Sequence, residues 1–155
     1  MEYEYYSLRG DELVQDNEWM SSFSHKVLAM SGSYLTTAYT KDVVVSADSM
    51  YCTVVNRIAA NELQAEGIAI EYLEHERERG SVSHAFLRSQ RGPRKNIFDF
   101  QYLQFVPHDQ REGLPPYLVI NYTSKEEVVA GLIEHRVPQI YHNYWLEELF
   151  WEIHQ

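Results

Sequence analysis

Apolar and polar positions alternate along residues 2–8, "EYEYYSL", as a half-buried strand requires, and Gly10 breaks the run. Asp11 stands where a helix N-cap belongs, ahead of Leu13, Met20, Phe23, Val27 and Met30, which return on roughly one stripe. The stretch "SYLTTAYTKDVVVSAD" is rich in Tyr and β-branched side chains and predicts a hairpin turning near Lys41 and Asp42. Asp48 can cap the next helix, in which Cys52, Val55, Ile58, Ala59 and Leu63 keep helical spacing until Gly67 ends it.

"IAIEYLEHERERG" opens with Ile68, Ile70 and Tyr72 in alternation and predicts a strand that runs out into charge. "SHAFLRS" and "IFDFQYLQFV" flank "QRGPRKN", the pattern of a hairpin with a wide basic tip, with Phe98, Phe100 and Tyr102 sharing one face of its second strand. "YLVINY" is a short buried strand. "TSKE" offers a capping box, Thr123 with Glu126, opening a helix through Val129, Leu132 and Ile133 that Pro138 stops. A last helix over 144–154 has two faces. Leu146, Leu149, Phe150 and Ile153 form the core stripe with Trp145 on its edge; Tyr144 and Trp151 lie nearly opposite, among Glu147, Glu148 and Glu152. Strands cluster instead of alternating with helices, which predicts an α+β fold: one domain over 1–155, a mostly antiparallel sheet, and about four helices packed against one face of it.

Composition changes the picture in three ways. The formal charge of −10 argues against the chain as a whole binding nucleic acid, because phosphate contacts need a positive footprint. Twelve Tyr suit shallow cores and partner-facing surfaces. Cys52 is the single cysteine, so no intrachain disulfide forms, and a reducing, cytoplasmic setting is expected. The acidic, alternating N-terminus does not read as a targeting peptide, and no apolar run reaches the length of a membrane span.

Candidate chemistry is sparse. No phosphate-binding glycine loop, zinc-protease HExxH, GxSxG or CxxC motif occurs, and no cofactor or metal is implied. His135 and His142 flank Pro138 beside Glu134 and read as hydrogen-bonded or solvated side chains; Cys52, on the apolar stripe of its helix, reads as a buried inert thiol. Cations concentrate at residues 77–95, which carry a net +5 in an otherwise acidic chain. Arg88, Arg91, Arg94 and Lys95 at the hairpin tip form a candidate anion site, the one place where nucleic acid could bind, and also serve to keep a β-edge from pairing with strangers. The tail offers a second candidate surface, with Tyr144 and Trp151 as anchors and Glu147, Glu148 and Glu152 as the charge that meets a basic partner.

The leading expectation is therefore a small acidic interaction protein of inhibitor, immunity or adaptor type, which binds a partner protein with a basic surface or a second copy of itself. A different class is the alternative. Arg9 ends "YYSLRG", Thr36 and Thr37 follow an aromatic in "SYLTTAYT", and "EHERE" supplies Glu74, Glu76 and Glu78. In that order, over the first half of the chain, these pieces resemble the ADP-ribosyltransferase pattern. The resemblance implies a nucleotide-using transferase in which Arg9 and Thr37 hold a dinucleotide and Glu76 stabilises a positively charged ribose.

Overall fold

The computed structural model describes residues 12–38, 51–78, 81–91 and 94–150. The strand expected at 2–8, Arg9, Trp151, Glu152 and Ile153 lie outside them. After a helical turn at 12–15, Asp16 accepts the backbone N–H of Trp19 at 3.0 Å and caps α1, Asn17–Ala38. Leu13, Met20, Phe23 and Val27 are buried as the stripe predicts, whereas Met30 is exposed and the small Ser31 takes the buried place, its hydroxyl donating to the Val27 carbonyl. The first half of the expected hairpin, residues 33–38 with Thr36 and Thr37, is helix instead; residues 39–50 are outside the described set. A helix already anchored by a buried stripe carries β-branched residues whose strand preference is only a weak prior.

Helix α2, Tyr51–Ala65, buries Cys52, Val55, Ala59 and Leu63, with Ile58 at the margin. It ends as Gly67 requires: φ is +83°, Gly67 N–H donates to Gln64 O, and Ile68 N–H to Leu63 O. Four strands follow: β1 Glu71–Glu78, β2 Ser81–Arg91, β3 Arg94–Asp99 and β4 Leu118–Tyr122. They form one antiparallel sheet in sequence order. The β2–β3 register runs to Arg91 opposite Arg94, so two residues separate the strands where a wide tip was expected. β3 closes at Asp99; Phe98 and Phe100 join one core, while Tyr102 belongs to the other, on a 3-10 turn at Tyr102–Phe105.

Helices cover both faces of this sheet, not one. Leu87, Phe98 and Phe100 pack under α1 and α2; Phe86, Ile97, Leu118 and Ile120 pack under α3, Lys125–Glu134, and α4, Asn143–Phe150. The runs "AFL" and "IF" at 85–87 and 97–98 are apolar on consecutive residues because both of their sides are enclosed. Helix α3 is capped one residue later than expected: Ser124 Oγ accepts Glu127 N–H, and Glu127 reaches back to Thr123 N–H and hydroxyl. That shift turns Val128, Gly131 and Leu132 inward and leaves Ile133 62% exposed. Gly131 is where α3 presses on β4, since a Cβ there would stand 2.7 Å from an Ile120 methyl. In α4, Leu146, Leu149 and Phe150 are buried as expected, and Trp145 moves from the edge to full burial. No helix among the described residues is long and apolar enough to cross a membrane.

Candidate functional site

One end of β2 and β3 holds charge in the core. His84 on β2 and Asp99 at the end of β3 are both fully buried, and His84 Nε2 lies 2.5 Å from Asp99 Oδ2. All the acceptor positions of the carboxylate are used. Oδ2 also accepts Trp145 Nε1–H at 3.2 Å, and Oδ1 accepts Gln101 N–H at 2.9 Å and Asn56 Nδ2 at 3.3 Å. An ionised carboxylate in a protein interior costs several kcal/mol unless it is paired in this way.

Asn56 ties this pair to α2. It occupies an apolar-stripe position of the helix, one turn after Cys52, and is fully buried. Its Nδ2 donates to Ala85 O at 2.9 Å and to Cys52 O at 3.1 Å, and its Oδ1 accepts Phe100 N–H at 3.0 Å. The first turn of α2 is thereby fixed against the sheet end. That holds the Cys52 end of α2 at the end of the sheet that carries His84 and Asp99. Burial by itself pushes the imidazole down, but the charge and hydrogen bond of Asp99 outweigh it, with a further push from Cys52, and His84 is raised to about 9. At neutral pH the ring is therefore protonated.

Aromatic rings enclose the imidazole. Trp145 and Phe105 each stand edge-on at 4.7 Å, and Phe86 stacks at 6.1 Å. Nδ1, the nitrogen that Asp99 does not use, lies 3.0 Å from Gln104 Nε2, a half-buried side chain of the 3-10 turn. Cross-strand from His84 is His75, whose Nε2 lies 2.7 Å from Glu147 Oε2.

The carboxylate and the Gln104 amide take one ring nitrogen each and fix the orientation of the imidazole. None of this was singled out in the sequence except Cys52. The signals were present in hindsight: Asp99 interrupts the apolar run "IFDF", and Asn56 sits on a core stripe, and each needs a buried partner.

The residues named from sequence fall elsewhere. Tyr144 is half-buried and packs its ring 5.2 Å from His75 and 5.3 Å from Phe105. Glu147 is exposed and bound to His75; Glu148 is half-buried, and burial raises its carboxyl, with His75 opposing that rise. At the opposite end of the β2–β3 pair, Arg88 is engaged by Glu71 at 2.9 Å, Arg94 donates to Asn121, Lys95 is half-buried, and Arg91 closes the strand. Thr37 lies in the last turn of α1 and Glu76 on β1. His135 Nδ1 lies 2.7 Å from Gly131 O and His142 Nε2 2.9 Å from Val137 O, both backbone partners. A groove of about 690 Å³ between α3 and α4, lined by Ile133, Arg136, Pro138 and Leu146, shares no residue with the Cys52–His84–Asp99 network. The chain matches no protein-family model, and neither a curated protein nor a solved structure is significantly similar to it.

Proposed function

We propose that the protein is a thiol-dependent acyl-transfer enzyme, a hydrolase or transferase acting on an ester, thioester or amide. Cys52 is the nucleophile, His84 its proton partner and Asp99 the group that orients His84. The observation that carries this reading is the buried His84–Asp99 pair at 2.5 Å, with the Cys52 end of α2 tied to it through Asn56. His84 raised to about 9 supports it further, because it sets a positively charged ring beside the sulfur. Cys52 is buried as its apolar stripe predicts, and the reading departs from the sequence expectation only in giving the thiol a reaction.

The reading requires access to a thiol that is 5% exposed beside a ring that is fully enclosed, so the acyl carbon has to approach from the sulfur side. Iodoacetamide labelling followed by mass spectrometry measures that access. The expected result is alkylation of native Cys52 at neutral pH, slowed roughly 100-fold or more in His84→Ala, in line with the usual worth of a general base. Native Cys52 that labels only on unfolding would overturn the proposal.

The acidic-surface reading stands as a second proposal, of a partner protein with a basic face bound by α4. It is supported by the exposed Glu147 carboxylate next to the half-buried Tyr144 ring. Co-purification from the host that is lost in Glu147→Lys tests it; recovery of the same proteins with both chains would sink it.

A further inference from the structure

We propose that the groove between α3 and α4 binds an amphipathic monocarboxylate, an apolar body ending in one carboxylate, and that Arg136 holds the charge. The groove shares no residue with the Cys52–His84–Asp99 network and stands apart from the thiol reading. It encloses about 690 Å³, a volume typical of small-molecule sites. Val129, Ile133, Val137, Pro138 and Leu146 make its walls apolar, and among the described residues that line it only Arg136 carries a fixed charge. Ile133 is 62% exposed, so an acyl chain laid along it removes apolar surface from water.

Arg136 stands where glycine is usual. Helix α3 ends in a left-handed cap: Arg136 N–H donates to Ile133 O, Val137 N–H donates to Leu132 O, and φ at Arg136 is +61°. A residue with a Cβ is strained in that conformation, and glycine is not. The arginine that takes the strain has its head fixed. Nη1 donates to Gln110 O at 2.6 Å and to Glu112 O at 2.9 Å, which ties the guanidinium to the loop that forms one wall of the groove. Both hydrogens of Nη1 are then used. The Nε–Nη2 edge makes no hydrogen bond to the described residues, and such an edge presents two parallel donors at the spacing of a carboxylate's oxygens.

The surrounding backbone suits an anion as well. Helix α4 starts at Asn143, which lines the same groove, so the positive end of its dipole lies there. The negative end of α3 is blunted, because the carbonyls of Gly131, Leu132 and Ile133 already accept the N–H groups of His135, Val137 and Arg136. The single cation limits the charge. One guanidinium matches one carboxylate, whereas a phosphate monoester brings nearly a second charge with no second cation in the groove to meet it.

The probes are octanoate, hexanoate and 1-octanol, titrated into the full chain by calorimetry. Wild type should bind octanoate about tenfold more tightly than 1-octanol, in line with a hydrogen bond to a charged group. Hexanoate, two methylenes shorter, should bind about tenfold more weakly than octanoate. Arg136→Gly removes the guanidinium at a position whose backbone favours glycine, so thermal unfolding should stay within a few degrees of wild type. Octanoate affinity should fall about tenfold in it, to the level of 1-octanol, whose own binding is unchanged. If Arg136→Gly melts far below wild type, Ile133→Glu decides: it alters an exposed lining residue, keeps Arg136, and should weaken octanoate by opposing its charge. Cys52→Ala should bind octanoate as wild type does. A wild type that binds neither probe, or binds octanoate and 1-octanol equally, overturns the site, as does full octanoate affinity in a folded Arg136→Gly or, where that variant melts, in Ile133→Glu. The thiol reading is decided separately, by the labelling of Cys52.

Discussion

The β2–β3 pair carries polar side chains at both ends and treats them in opposite ways. At the His84–Asp99 end the charges are wholly enclosed, every acceptor position of the carboxylate is used, and three separate elements, α2, α4 and the turn after β3, supply partners. At the other end Arg88 pairs with Glu71, Arg94 with Asn121, and Asn121 with Asn96 at 2.6 Å, mostly near solvent. The first arrangement is all-or-none, because a buried charge stripped of its counterpart has nothing to replace it. The second is a set of small independent terms, because water stands ready to replace each lost partner. Chemistry that needs a fixed proton path belongs at the first end, and charge that only keeps a strand edge soluble belongs at the second.

Four perturbations test that contrast, in descending size. Asp99→Ala should cost about 3–5 kcal/mol in chemical denaturation, the usual penalty for breaking a buried pair, and should abolish Cys52-dependent turnover. If it costs less than 1 kcal/mol, the enclosed end is not all-or-none. Alkaline titration comes next. His84 is held at about 9, above the 6.5 of an ordinary imidazole, so it stabilises the fold only while protonated. Its contribution, on the order of 3 kcal/mol, is complete below about pH 6.5 and fades as pH rises through about 9. Thermal unfolding between pH 6 and 10 should show this fall in the wild type and lose it in His84→Gln; identical curves would remove the charge from the interior.

Asn56→Ala should cost about 1–3 kcal/mol, because Phe100 N–H and one oxygen of Asp99 lose a partner. It should also lower the iodoacetamide reactivity of Cys52, whose helix turn it anchors; a stable variant with unchanged reactivity would confine Asn56 to a packing role. At the far end, Arg88→Ala and Arg94→Ala should each stay within about 1 kcal/mol of wild type and leave the labelling rate unchanged. A large loss from either would erase the difference between the two ends.

Much of the architecture was legible from periodicity. The α2 stripe, its Gly67 stop and the core stripe of the last helix follow from spacing, because burial of one face leaves a regular mark on the chain, whereas the strand expected from Ile68, Ile70 and Tyr72 begins only at Glu71 and runs through the charged half to Glu78. What periodicity misjudged was burial on two faces. A strand enclosed on both sides has no polar face to alternate with, so the apolar residues of "IFDF" do not show which side each faces, and no period marks Asp99 as buried. The candidate site was less legible still. His84, Asp99, Cys52, Asn56 and Gln104 are spread over 53 sequence positions, and nothing local links them; only the β2–β3 register and the docking of α2 bring them together. Sites set by long-range pairing leave no short motif.

Trp145 gives this interior a property that involves no chemistry on substrate. Its indole donates to Asp99 and stands 4.7 Å from His84, while Trp19 lies in the other core, stacked on Phe23. A protonated imidazole at such range quenches indole emission more strongly than a neutral one. The chain therefore contains its own optical reporter: brightening of Trp145 on alkaline titration would follow the departure of one proton from the centre of the molecule, with no label attached.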